Sequence, residues 1–120
     1  MAIAIAVQSV DSNGVVTWVT GTLTFSGSYT TGGDTLDWST ANEKISATGQ
    51  VLAAGTPPQQ VTITSQNGNA GSYVPVQGSA LNNWKVKCFV GSGTEVSAGA
   101  YPSSVTSDIV AFQAQFAKLQ

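Results

Sequence analysis

Histidine and arginine are absent from this 120-residue sequence, and charged residues make up only 8% of it. Histidine is the commonest general base of enzymes and a frequent metal ligand, so Ser-His-Asp and Cys-His catalytic arrangements are excluded. The net charge of −2 indicates no basic patch for nucleic acid or for an anionic membrane surface. We therefore expect no enzyme activity, no cofactor, no metal ion, and no nucleic-acid or membrane partner.

Cysteine is also scarce. Cys88 is the only one in the sequence, so a disulfide within the chain is impossible. It lies in Trp84–Val90, a segment in which apolar and polar side chains alternate. The alternation places Cys88 on the inward face with Trp84 and Val86. Free cysteine is among the most buried residue types, so we expect a buried, unreactive thiol, with a reactive thiol as the alternative.

The apolar N-terminal run Met1–Val7 lacks the basic residues of a signal peptide and is too short to span a membrane. Its larger side chains, Ile3, Ile5 and Val7, alternate with alanines. This period of two residues predicts a β-strand over residues 2–10.

Turn signals and further alternation follow this strand. Asn13-Gly14 favours a tight hairpin turn, after which residues 15–25 predict the returning strand. Gly21 interrupts that strand and indicates a bulge or a close backbone approach. Trp18 falls on the outward, threonine-bearing face. The inward face of the returning strand carries Val15, Thr17, Val19, Leu23 and Phe25.

The rest of the chain predicts more strands, except for residues 39–60, which we expect to be irregular. Pro75 marks its segment as a sheet edge, because proline cannot donate a ladder hydrogen bond. Residues 108–119 fit a helix as well as a strand, and we favour the strand because Val110, Phe112, Ala114 and Phe116 then share one face. The strands predicted in this part of the chain are residues 61–65, 71–77, 84–90 and 108–119.

Roughly seven to nine short strands with frequent turn signals are typical of a two-sheet sandwich. A chain of this length can bury a sizeable core without disulfides. The sequence therefore predicts an all-β protein, a jelly-roll-like antiparallel β-sandwich in which residues 1–120 form a single domain.

Asp34 and Asp37 are the one close pair of carboxylates, and they follow the glycine corner Gly32-Gly33. A calcium site or a glycosidase pair would need the two side chains to converge. Residues three apart on a strand point to opposite faces, so convergence is not expected. The favoured interpretation is that Asp34 caps the turn and that Asp37 is exposed to solvent.

The three tryptophans raise the question of a sugar-binding aromatic platform. Trp38 and Trp84 alternate in phase with Leu36 and Val86, so we expect both in the core. Trp18 and Phe89 fall on faces otherwise made of threonine or lysine. Large apolar groups on such faces predict cover by a partner subunit, and we name both as interface residues.

The segment Gly21–Asp37, which reads GTLTFSGSYTTGGDTLD, resembles a recurrent pattern in small structural proteins of tailed bacteriophages. The closing segments Ala98–Val105 and Ile109–Lys118 fit the same family. The chain thus resembles the capsid decoration, or cement, proteins. The resemblance implies a β-sandwich or jelly-roll module that sits as a small oligomer on the outer surface of an icosahedral head.

This resemblance implies two partners, the major capsid protein and further copies of the chain, with a homotrimer favoured over a dimer. The N-terminal strand, with Ile3, Ile5 and Val7, is the element expected to join a neighbour's sheet edge or to touch the shell. Two alternatives stay open: a carbohydrate-binding module of a fibre or secreted protein, and a tail or head-completion subunit.

Overall fold

The computed structural model describes residues 3–12, 16–39, 57–66, 72–90 and 93–117. Strands dominate them, with the single-turn helix α1 (Ser103–Thr106) near the C-terminal end. The strands are β1 (Ile3–Ser12), β2 (Val16–Phe25), β3 (Ser28–Tyr29), β4 (Asp34–Leu36), β5 (Gln60–Ser65), β6 (Ser72–Val76), β7 (Trp84–Val90), β8 (Thr94–Glu95), β9 (Gly99–Ala100) and β10 (Val110–Ala117).

The strands form two antiparallel sheets and one short strand pair. The first sheet has the order β1-β2-β10-β5, and the second has the order β4-β7-β6, with β8 also paired to β7. Strands β3 and β9 pair separately. The chain crosses between the sheets after β2, before and after β5, and before β10, as in a jelly roll. The predicted all-β, sandwich-like fold is therefore confirmed.

One hydrophobic core cluster lies between the two sheets. Alternation placed its side chains correctly: Leu36, Trp38 and Val86 are fully buried, and Cys88 is buried as well. Aromatic rings join the sheets at two places. Phe25 of the first sheet stacks on Tyr73 of the second, with ring centroids 5.2 Å apart. Trp38, just after β4, packs edge-on against Phe112 and Phe116 of β10.

The C-terminal segment is the strand that alternation favoured, not the alternative helix. β10 runs between β2 and β5 and pairs with both along its length. Its inward side chains are Val110, Phe112, Ala114 and Phe116, all buried. A central strand needs two neighbours for its backbone, and the sheet order supplies them.

The predicted glycine corner lies among the described residues. Gly32 and Gly33 have φ angles of 95° and 116°, which residues other than glycine rarely adopt. Pro102 lies at the N-terminal cap of α1. The Asn13-Gly14 turn and most of the segment 39–60 lie outside the described residues.

Gly21 faces the core side of β2 opposite a β-bulge in β1, where the register shifts between Val7 and Ser9. A Cβ atom on Gly21 would overlap the carbonyl oxygen of Ala6 and lie 2.9 Å from Cε1 of Phe112. The sequence suggested a bulge or a close approach at this glycine. The structure has both, with the bulge on the neighbouring strand.

We expect Gly21→Ala to lower the free energy of unfolding by roughly 1–3 kcal/mol, because the β1 backbone and the Phe112 ring must both move. Thr24→Ala on the exposed face of the same strand is the control and should change stability much less. Urea unfolding followed by circular dichroism measures both. Equal stability of the Gly21→Ala variant and the wild type would contradict the close packing.

Candidate interaction surfaces

The outer edge of β1 is the longest open strand edge in the described part of the chain. β1 has ten residues and pairs with β2 alone. Natural sheets protect their edges with lysine, proline, β-bulges or very short strands. β1 contains neither lysine nor proline, and its bulge between Val7 and Ser9 leaves Ile3–Val7 as a regular open edge. In the second sheet, by contrast, β6 carries Pro75 and β4 has three residues.

Strand β5 forms the other edge of the first sheet, and this edge is less open than that of β1. β5 lies alongside β6 of the second sheet, where the chain passes from one sheet to the other. The N–H and C=O groups along the outer side of β1 are therefore the backbone groups most available for pairing with another strand.

The side chains of β1 divide between the core and the surface. Ile3 and Ile5 are buried in the chain's own core, with 1% and 8% of their surface exposed. Val7 is half-buried and packs against the same core. The sequence-predicted apolar contact through these three residues is thus largely made within the chain. What β1 presents outward is its backbone edge, with the exposed Ala4 and Ala6.

The outer side of the first sheet forms a surface that we call the polar face. Cross-strand pairs align its residues in rows, such as Ala6-Thr22-Ala111-Thr64 and Ser9-Thr20-Gln113-Thr62. Its one charged residue among those described is Asp11, which lies at one end opposite Trp18. The polar face consists of Ala4, Ala6, Gln8, Ser9, Asp11, Trp18, Thr20, Thr22, Thr24, Gln60, Thr62, Thr64, Ala111, Gln113 and Gln115.

A groove of about 450 Å³ crosses this polar face. The small side chain of Ala111, which points to the outer face, leaves room for it between β2 and β5. Threonine and glutamine provide most of its polar groups. The groove is lined by Gln8, Thr20, Gly21, Thr62, Thr64, Ala111, Phe112 and Gln113.

Trp18 and Phe89, the two aromatic residues predicted on outer faces, are both half-buried. Trp18 lies on the polar face, opposite Asp11 and Gln115. Phe89 lies on the outer side of the second sheet, on the same side of β7 as Lys85 and Lys87. The outer faces of the two sheets point in opposite directions, so the structure does not bring the two aromatic residues together in one patch.

Sequence reasoning missed a set of tyrosine–carboxylate hydrogen bonds. In each of them a tyrosine hydroxyl donates to a carboxylate oxygen at 2.7 Å, and the two residues are far apart in sequence. Gly32 N–H also donates to Glu95, at 2.8 Å. No local pattern signals such pairs, because they depend on how distant strands are placed. The pairs are Tyr29–Glu95, Tyr73–Asp108 and Tyr101–Asp34.

These hydrogen bonds and burial shift several pKa values. The Tyr29 hydroxyl, with the Gly32 N–H, holds the pKa of Glu95 below its ordinary value. Burial, and then the bond to Glu95, raise the pKa of Tyr29 to about 12. Burial and their carboxylate partners likewise raise the pKa values of Tyr73 and Tyr101. The carboxylates therefore act as structural acceptors that satisfy half-buried hydroxyls.

The thiol and the close acidic pair behave as structural groups. Burial raises the pKa of Cys88 to about 12, so the thiolate that reactivity requires is disfavoured. Asp34 accepts from its neighbour's backbone, Thr35 N–H, at 2.9 Å, and Asp37 accepts from Ser39 N–H at 3.0 Å. Asp37 is half-buried, which corrects the expected solvent exposure, because it caps the chain after Trp38.

The raised tyrosine pKa values predict alkaline unfolding. The unfolded chain loses its tyrosine protons near pH 10, whereas folded Tyr29 retains its proton up to about pH 12. Unfolding therefore releases protons in this window, and stability is complete below pH 10 and falls as the pH rises. Thermal melts from neutral pH to about pH 12, with tyrosinate absorbance, test this. Tyr29→Phe should flatten the decline, and tyrosines ionising near pH 10 in a folded protein would contradict it.

No group of three or more residues that could hold a metal ion occurs within the described ranges. In the same ranges, no helix is both long and apolar enough to cross a bilayer. Comparison of the chain with protein-family models, curated proteins and solved structures found no match. The class that the structure defines is thus that of an antiparallel β-sandwich whose described residues include an open edge at β1 and an outer sheet face with little charge.

Proposed function

We propose that this protein is a structural component of a bacteriophage virion, a capsid decoration or cement protein. It binds the outer surface of the icosahedral head and stabilises the shell against internal pressure. The support from the sequence is the resemblance carried by residues 21–37, 98–105 and 109–118. The support from the structure is an antiparallel β-sandwich in which Asp34, Glu95 and Asp108 accept hydrogen bonds from tyrosine hydroxyls within the fold.

The observation that carries the proposal is the open edge of β1. The regular part of this edge, Ile3–Val7, has no lysine or proline and would be an aggregation hazard in a protein that works alone. Such an edge suits a protein whose backbone groups pair with a neighbouring strand in an assembly. The exposed side chains beside it, Ala4 and Ala6, are small enough for another strand or surface to approach closely.

The proposed partners are the major capsid protein and further copies of the chain. A homotrimer fits the threefold and quasi-threefold positions of an icosahedral lattice, and a dimer is the second choice. Attachment through several subunits turns a weak single contact into firm binding, because each contact raises the effective concentration of the next. Trp18 and Phe89, on opposite outer faces, are candidate contact residues for these two partners.

Binding to shells of the encoding virus tests the proposal. Purified protein is added to heads that lack it, and bound protein is separated by sedimentation. We expect saturable binding with a fixed number of copies per shell, and greater resistance of decorated shells to heat. Protein recovered only with tails or head–tail connectors would favour a completion subunit instead. Absence from heads would overturn the decoration role.

A further inference from the structure

The groove on the polar face differs from the rest of the surface in shape and chemistry. It is a depression of about 450 Å³, within the size range of ligand sites in proteins. Three adjacent strands, β2, β10 and β5, supply most of its lining, so its walls are held by a continuous hydrogen-bonded ladder. Sites built on rigid strands hold their polar groups in fixed positions.

The polar groups in the groove are uncharged. Gln113, in the central strand β10, is exposed and carries an amide that donates and accepts at once. Thr62 and Thr64 from β5 and Thr20 from β2 add hydroxyl groups of the same dual character. No acid or base lines the groove, so a charged ligand would find no counter-ion there. Both features suit a neutral ligand rich in hydroxyl groups.

Trp18 extends this surface by an aromatic ring. It lies two residues from Thr20 on the same side of β2, and Gln115 lies opposite it in the register next to Gln113. The residue is mostly covered by its own chain but is not fully buried. The exposed part of the indole offers an apolar surface on which the C–H side of a sugar ring can stack, while its neighbours bond the hydroxyls.

A protein partner fits the groove less well. The centres of protein interfaces are enriched in tyrosine, tryptophan, phenylalanine, methionine and arginine, whereas this groove is lined mainly by threonine, glutamine and small residues. If another sheet covered this groove, each buried amide and hydroxyl would need its own hydrogen-bond partner on that sheet, and any group left without one would weaken binding. Sugar hydroxyls, which both donate and accept, satisfy them directly.

We propose that the groove on the polar face binds a neutral oligosaccharide, with Trp18 stacking on one sugar ring and Gln113, Thr62 and Thr20 bonding hydroxyl groups of its neighbours. This inference does not depend on the capsid role, and it requires that Trp18 be open to the ligand and not covered by a partner subunit. It differs from the three-tryptophan platform considered for the sequence, because Trp38 and Trp84 are in the core. Carbohydrate binding would be a second activity of the outer sheet face.

Titration of the free protein tests the site. The probes are maltohexaose, cellohexaose and chitohexaose, with a hyaluronan hexasaccharide as the charged comparator, followed by tryptophan fluorescence and amide NMR shifts. We expect at least one neutral probe to bind with a dissociation constant in the micromolar to millimolar range, roughly −8 to −4 kcal/mol, and to shift groove resonances. No binding by any neutral probe, or stronger binding of the charged one, would overturn the proposal.

Variants locate the binding. Gln113→Ala and Trp18→Ala should each weaken the affinity for the best neutral probe about ten-fold or more, as expected for lost hydrogen bonds or ring stacking. Trp18→Phe should retain part of it. Thr24→Ala, on the same face but outside the groove lining, is the matched control and should bind like the wild type.

Thermal melts establish that each variant is folded, and unchanged affinity in both alanine variants would refute the site. The titration uses no shells, so its result tests the sugar site independently of the proposed decoration role.

Discussion

Lysine at both Ala4 and Ala6 will shift the proposed oligomer towards a folded monomer and weaken its binding to shells. The two side chains are exposed on the strand that forms the open edge, so the substitutions leave the core intact. Charged side chains on an edge oppose pairing with another strand, because each new pair would bring like charges together. We expect the dissociation constant of self-association to rise about ten-fold or more, which corresponds to ~1.4 kcal/mol.

The first sheet provides a closely matched control for this variant. Thr24 and Thr22 are the cross-strand partners of Ala4 and Ala6 on the same face, but they lie in β2, which has β1 on one side and, from Val16 to Leu23, β10 on the other. Lysine at both threonines adds the same charge to the same face, at the paired positions of the neighbouring strand, and leaves the edge strand unchanged. Sedimentation should show this control as oligomeric as the wild type. Equal loss in both variants would assign the effect to charge on the face.

Truncation would not be a clean alternative. A deletion of residues 3–7 removes Ile3 and Ile5, both of which are buried in the core. Losing two buried isoleucines costs several kcal/mol, a large part of the stability of a domain this size. Failure of a truncated chain to assemble would therefore report unfolding as readily as a lost contact.

Trp38→Ala will destabilise the fold more than any surface change, by about 3–5 kcal/mol. The side chain is fully buried, and its ring packs against Phe112 and Phe116 at centroid distances of 5.3 and 5.8 Å. Trp38 follows β4 of the second sheet, while its ring partners belong to the first. The indole therefore joins the sheets, and truncation leaves a cavity between them.

Phenylalanine at the same position separates packing from hydrogen bonding. The Trp38 indole N–H has no hydrogen-bond partner among the described residues, so Trp38→Phe removes volume without stranding an acceptor there. We expect Trp38→Phe to cost well under half of the loss seen for alanine. Chemical unfolding measures both. A loss below about 1 kcal/mol for alanine would contradict the bridging role.

Much of the fold follows from alternation along the sequence. The predicted strands at 2–10, 15–25, 61–65, 71–77, 84–90 and 108–119 correspond to β1, β2, β5, β6, β7 and β10. Alternation succeeds because one face of each strand is buried, and a shift of one residue would turn every core side chain to solvent. The short strands β8 and β9 carry too few residues for such a pattern.

Alternation does not reveal what lies opposite a strand. Ile3 and Ile5 were correctly placed on an apolar face, but the pattern is the same whether that face is covered by the chain's own second sheet or by a neighbour. The tyrosine–carboxylate pairs and the groove were missed for a related reason. Tyr29 meets Glu95, and Thr62 lies beside Gln113, only because of strand order and register.

Cryo-electron microscopy of the proposed source virion decides whether the chain decorates its head. We expect separate densities on the outside of the head, at threefold or quasi-threefold positions, into which the β-sandwich fits with β1 against a neighbouring subunit or the shell. A head whose outer surface carries no density of this size, with the chain located in the tail or missing from the particle, would contradict the decoration role.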